Sequence, residues 1–194
     1  MTLWSLRRPG DREITRFSAE QRNLDYSYTH IGATRGTIPS GWTVEHHRRR
    51  LGRGASCFAT ARDAMRVWRM FPEAWARIAP AVPPVEHETF VVLLRVARVW
   101  WLNAIRVVYL DDEPRRFAFA VGTLPGHIAL GEESFSLHHA EDDSVWYELR
   151  AFTRQRMLAA RLASPVSRAV RAQFVRDSLA EMSRAVEGPG MVRP

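Results

Sequence analysis

The sequence predicts one α+β domain, an antiparallel sheet packed against an amphipathic C-terminal helix. Three observations lead there. Between Glu86 and Arg154 the chain reads as β-branched and aromatic runs separated by tight turns, which is a meander and not a series of βαβ units. Within it, Leu124-Pro125-Gly126-His127 places Pro and Gly at the centre of a type II turn, where glycine supplies a positive φ. Beyond Ser164-Pro165, an N-cap followed by a first-turn proline, Val175, Leu179, Met182 and Val186 recur at helical spacing.

Taken in order, residues 1–22 are polar and broken by Pro9-Gly10, so they read as a surface segment. Asn23 to Ser40 reads as a short strand and an irregular loop. Gly41 to Leu51 is a strand with Trp42, Val44 and His46 on one face. Gly52-Arg53-Gly54 interrupts it before a helix capped at Ser56, with Phe58, Ala61, Met65 and Trp68 along one stripe. A second short helix is expected over Glu73 to Ile78, ended by Pro80, Pro83 and Pro84. Thr89–Trp101 supplies one or two strands broken near Arg98, then Ala104–Leu110 another, and Asp111 to Pro114 turn the chain. Arg115 to Thr123 follows, with Phe117, Phe119, Val121 and Thr123 on one face. Gly131 to His139 places Glu133, Phe135 and Leu137 together, and Val145–Thr153 closes the meander. Val166, Val170 and Phe174 lie off the main helical stripe, so the first half of the last helix is apolar on two sides. Residues 23–187 form the domain on this reading, and 188–194 a flexible tail.

Composition narrows the function classes. No apolar run reaches the roughly 18 residues a membrane span needs, and the N-terminal residues lack signal-peptide order, so a cytoplasmic location is expected. The single cysteine, Cys57, forms no internal disulfide and reads as a small hydrophobe. The formal charge is +7, yet every basic residue is arginine and lysine is absent. That skew reads as compositional bias, and the arginines are dispersed apart from Arg48-Arg49-Arg50 and Arg53, so nucleic-acid binding is not favoured.

The polar candidates are His127, Glu132 and Glu133. A histidine and a carboxylate at a cavity mouth suit acid–base chemistry, whereas turn capping by His127 and a solvent-facing Glu132 are the plainer readings. Glu133 shares a face with Phe135 and Leu137 and needs a partner, for which Arg106, Arg116 and Arg150 are candidates. His46-His47 and His138-His139 are adjacent on strands and point to opposite faces, so neither pair chelates one ion; no metal and no cofactor is expected. Seven Trp and nine Phe suit either a dense core or an aromatic-lined cavity. If a cavity, its lining is drawn from Trp101, Arg106, Phe117, Phe119, Thr123, Phe135, Tyr147 and Phe174.

Three stretches resemble uncharacterised protein family 0548, a domain-of-unknown-function family. They are Leu51 to Met70; Gly122 to His127 with Gly131 to Phe135; and Trp146 to Phe152 with Gln173-Phe174 and Asp177-Ser178. The likeness runs from about Tyr26 to Val186, departing at Ala120-Val121 and at Thr153-Arg154-Gln155. Its element order resembles the START-like helix-grip superfamily: a strand, two short helices, a curved antiparallel meander and a long C-terminal helix. The resemblance implies a small apolar or amphipathic ligand held between sheet and helix. An enzyme using Glu133 and His127 as an acid–base pair is the alternative, and arginine-mediated binding to nucleic acid or an anionic surface a second one.

Overall fold

A computed structural model describes residues 3–155 and 164–188. The elements are β1 (Trp4–Ser5), α1 (Asp11–Gln21), β2 (Thr43–Arg53), α2 (Gly54–Arg66), β3 (Ala76–Ala79), β4 (Thr89–Val96), β5 (Val99–Glu113), β6 (Arg116–Thr123), β7 (Ala129–His139), β8 (Ser144–Gln155) and α3 (Ser164–Glu187). A 3-10 turn lies at Ala33–Arg35. The sheet runs β2-β8-β7-β6-β5-β4-β3, with β1 added beside β5. Every pairing is antiparallel. Strands β4 to β8 form the expected meander, β3 extends it by one strand, and β2 pairs with the last of them. Bulges at Leu51 and Val108 shift the register; such bulges bend strands and increase their twist.

Helices α2 and α3 pack on one face of the sheet, here the gripped face. Its core joins Phe58 and Met65 of α2 to Phe117, Phe119, Phe135, Leu137, Tyr147 and Leu149 of the sheet and to Phe174, Val175 and Met182 of α3. The other face, the back face, is covered by α1 and by residues 22–42, which cross it as a strap. There Ile14 and Phe17 pack on Val91, Leu93, Leu102, Ala104 and Leu124. The surface segment expected at the N-terminus is therefore a helix with a buried side. Its polar look arises because α1 covers the sheet with only Ile14, Phe17, Ser18 and Gln21 buried.

Several local expectations change. Helix α2 begins at Gly54, ahead of the anticipated Ser56 cap, and ends at Arg66. Trp68 follows in a left-handed conformation at φ 59°. Its N–H reaches the Met65 carbonyl, and that of Arg69 reaches the Ala64 carbonyl, a Schellman closure usually made with glycine. A bulky residue there is strained. Packing offsets the strain: the indole sits 5.0 Å from Phe90 and 5.1 Å from Phe119, and its Nε1 donates to the Val82 carbonyl at 2.7 Å. The second short helix does not form; turns lead instead into β3. The predicted strand in the 23–40 region is absent as well, replaced by the strap. Thr89–Trp101 divides at Ala97-Arg98, while β5 runs unbroken through Trp101 to Glu113.

The Leu124–His127 turn is closed by the His127 N–H on the Leu124 carbonyl at 3.0 Å. Gly126, however, has no positive φ, so the turn is not type II. Glycine is needed there for space. A β-carbon would lie 2.7 Å from Phe17 Cζ and 2.8 Å from Gln21, and the Gly126 N–H donates to Gln21 Oε1 at 2.7 Å. The turn is thus clamped by α1.

The arginine run on β2 is divided by alternation. Arg48 pairs with Glu148 at 3.2 Å and covers the Trp146 ring, whereas Arg49 reaches Ser183 on α3. Charges on an exposed edge strand discourage pairing with another chain. Among the described residues no helix is long and apolar enough to cross a membrane. The side chain of Ser164, the expected N-cap, lies outside the described residues, as does the tail beyond Gly188.

Candidate functional site

The aromatic side chains expected to line a cavity instead fill the gripped face. Phe119 lies 5.6 Å from Phe135, Phe135 lies 5.9 Å from Phe71, and Phe71 lies 5.2 Å from Phe174. Rings at these separations and tilts are in direct contact with one another. Phe117 and Tyr147 are equally buried. The Tyr147 hydroxyl bonds Ser178 Oγ at 2.9 Å, and Trp75 Nε1 donates to Asp177 at 2.9 Å. Asp177-Ser178 therefore fastens α3 to the sheet. Burial pushes the Tyr147 phenol above its ordinary range.

The remaining candidates lie elsewhere. Arg106 is on the back face, where its guanidinium donates to the carbonyls of Gln21 and Arg22 at the end of α1, a favourable place for a cation. Thr123 Oγ1 is engaged with Ser27 Oγ at 2.7 Å and with the Gly131 N–H at 3.0 Å. Trp101 sits on β5 between β1 and β4. None of these residues borders the open cleft described next.

That cleft, about 690 Å³, lies where α3 spans the β2–β8 edge. Thr43, Glu45 and His47 project into it from β2, with Thr153 and Arg154 from β8. Helix α3 contributes an apolar strip, Ala172, Val175 and Leu179, alongside Arg168, Arg171 and Arg176. Register explains the floor. Glu45 faces Ala151, and Ala151 faces Glu133, so the two carboxylates share a row across three strands. Arg171 descends between them, with Nε 2.7 Å from Glu45 and Nη1 2.8 Å from Glu133. Its Nη2 is buried without a hydrogen-bond partner among the described residues.

Burial pushes the Glu133 carboxyl above its usual range, and Arg171 opposes that shift without cancelling it. Burial also disfavours the Arg171 charge, but Glu133 and Glu45 outweigh it and hold the guanidinium pKa above its ordinary value. The three partners anticipated for Glu133, namely Arg106, Arg116 and Arg150, all fall on the opposite face. Sequence reasoning missed Arg171, although a signal existed: it stands four residues before Val175, on the stripe that grips the sheet.

His127 does not join this site. Its Nδ1 accepts from the Ala129 N–H at 2.9 Å, which caps the turn. Glu132 is the larger surprise. Expected to face solvent, it is 1% exposed. It accepts from Tyr28 Oη at 2.7 Å, from the Gly32 N–H at 2.7 Å, from the Thr34 N–H at 3.0 Å and from Thr34 Oγ1. The strap folds around it. Gly122 permits this, because a β-carbon there would lie 2.4 Å from Tyr28 Oη. The histidine pairs divide between faces as alternation requires: His46 bonds Glu148 on the back face while His47 borders the cleft. Among the described residues no three His, Cys, Asp or Glu converge as metal ligands.

The family described as "Domain of unknown function (DUF1990)" matches residues 27–181. The chain belongs to this family. A UPF0548 protein of Deinococcus radiodurans is 32% identical over 195 residues, covering 94% of this chain and 98% of that one. A UPF0548 protein of Arabidopsis thaliana is 28% identical, covering 71% of this chain and 70% of its own, so the family extends beyond bacteria. Among solved structures, a START superfamily protein from Mycobacterium smegmatis has TM-score 0.51 at 11% identity, covering 76% of this chain and 98% of its own. The Zhui aromatase/cyclase of a Streptomyces species has TM-score 0.52 at 13% identity, covering 76% and 94%. The chain therefore has a START-like helix-grip fold; at these identities the likeness concerns the fold alone.

Proposed function

We propose that the protein binds a small amphipathic molecule in the cleft between α3 and the β2–β8 edge, with an anionic group directed at the arginines. The carrying observation is the lining itself. One wall is the apolar strip Ala172, Val175 and Leu179, and the cleft also presents Arg154, Arg168, Arg171 and Arg176 against Glu45 on its lining and Glu133 beneath it. Its volume falls in the range of small-molecule sites, roughly 300–1,000 Å³. The Arg171 Nη2 that lacks a partner is a donor for a ligand oxygen. Compared with an apolar chamber deep between sheet and helix, this places the ligand at the edge of the grip. The reason is that the interior is already filled by the Phe71, Phe119, Phe135 and Phe174 rings.

Titration with dansyl-labelled undecanoic acid, followed by fluorescence and native mass spectrometry, tests this reading. Saturable one-to-one binding is expected, lost when Ala172→Trp, at an exposed position of the lining, fills the cleft, and weakened about tenfold by Arg176→Gln. Equal binding by wild type and Ala172→Trp contradicts it, as does the absence of saturable binding. An acid–base role for Glu133 with His127 gains no support, because the former is held by Arg171 and the latter by its own turn.

A further inference from the structure

The back face carries a second opening with a different character. Its floor consists of small residues in adjacent register: Ala118 on β6 faces Ser136 on β7, and Ala120 faces Ser134. Ser136 in turn faces Glu148, and Ser134 faces Arg150. Small side chains at mid-sheet leave a hollow of about 210 Å³ bordered by Ala118, Ser134 and Ser136. Three guanidinium groups from separate segments rise around it: Arg35 from the strap, Arg116 from β6 and Arg150 from β8.

Each is oriented by its own contacts. Arg150 donates to the Thr34 carbonyl at 3.0 Å and the Gly36 carbonyl at 2.8 Å. Arg35 lies 3.9 Å over the Tyr109 ring, and it shares the Asp111 carboxylate with Arg116. Glu148 is matched by Arg48 at 3.2 Å. Near the hollow, three guanidiniums thus meet two further carboxylates, Asp111 and the strap-bound Glu132, leaving a positive surplus. Two hydroxyls border the hollow: Ser136 Oγ lies 3.2 Å from His138 Nε2, and Ser134 Oγ donates to the Arg150 carbonyl at 3.3 Å, a long bond that an anion can replace. Burial lowers the pKa of His138 and favours its neutral form, so it adds polarity without a fixed charge.

We propose that this hollow is a binding site for a small oxyanion, a phosphate or carboxylate group held by Arg35, Arg116 and Arg150 above the Ser134 and Ser136 hydroxyls. Guanidinium forks match such groups in geometry as well as charge. The volume is below that of drug-sized sites, which fits a compact group and not a long ligand. The site lies across the sheet from the α3 cleft and shares no lining residue with it.

Calorimetric titration of the full chain with inorganic phosphate, and separately with acetate, at constant ionic strength tests the site. One saturable site is expected for at least one of them, and the one that binds identifies the preferred group. Arg116→Gln weakens binding about tenfold to a hundredfold, as expected for a lost charge-assisted pair. Ser136→Leu fills the hollow with every charge retained and abolishes binding. Arg12→Gln, on exposed α1 surface, leaves it unchanged. No saturable heat with either anion overturns the proposal, and so does undiminished binding by Ser136→Leu, which signals diffuse surface attraction. If circular dichroism shows Ser136→Leu unfolded, Arg116→Gln decides: unchanged affinity there overturns the site.

Discussion

Glu132 and Glu133 are adjacent on β7, yet the two faces of the sheet hold their carboxylates by different means. Glu133 meets a formal cation, Arg171, carried on a helix and shared with Glu45. Glu132 meets neutral donors only: a phenol, a hydroxyl and two backbone N–H groups of the strap. A guanidinium that serves two carboxylates beside an open cleft also has capacity for a third oxyanion. Donors drawn from one loop and spent on one buried carboxylate instead fix that loop to the sheet. The gripped face is therefore arranged for exchange of partners, and the strap for permanence.

The largest effect should come from the permanent side. Glu132→Ala leaves the Tyr28 hydroxyl and two N–H groups without an acceptor, at about 1–3 kcal/mol for each buried group, whereas the Thr34 hydroxyl keeps Tyr109. Urea denaturation should show loss of most of the stability of a domain this size, and a change below about 1 kcal/mol breaks the contrast. Arg171→Met comes next. It strands Glu133 in the cleft floor and should cost about 3–5 kcal/mol, again by denaturant titration. If Arg171→Met is instead neutral, the ion pair is not what anchors this part of α3. Gly126→Ala should follow at about 1–3 kcal/mol, since the new methyl group overlaps Phe17 and Gln21. A turn that needed glycine only for its backbone angles would tolerate alanine with little loss.

The smallest effect is a pH dependence. Burial raises the Glu133 pKa in the folded state, so the folded chain binds this proton more tightly than the unfolded one. Its contribution is fully present below the unfolded carboxylate pKa of about 4.3 and is lost as pH rises through the higher folded value. Glu133→Gln should remove that component from a plot of stability against pH. An unaltered profile places the titration on another group.

What could be read from sequence divides along the same line. The meander, the α3 stripe and the placement of Glu133 on the apolar face follow from periods of two and 3.6, which are local properties of the chain. The strap, the helical α1 and the role of Glu132 do not. They depend on which segment covers the back face, and nothing local in Tyr26 to Gly36 announces a buried carboxylate about a hundred residues away. Alternation did contain one further lesson. Arg106 is out of phase with Ile105 and Val107 on β5, Arg116 with Phe117 and Phe119 on β6, and Arg150 with Tyr147 and Leu149 on β8, so parity within each strand turns all three away from the apolar face, while Arg171 is in phase with Val175. The cleft itself was unreadable. Whether aromatics fill or line a space is decided by three-dimensional ring contacts, such as Phe119 with Phe135 at 5.6 Å.

The proposed amphipathic ligand enters on the gripped face, at the β2–β8 edge. Amide chemical-shift mapping of the labelled protein during titration with dansyl-undecanoic acid tests that placement most directly. Shifts are expected to concentrate at Thr43, Glu45, His47, Thr153, Ala172 and Leu179. Shifts concentrated on the strap and the back of β7, with the cleft residues unchanged, would contradict it.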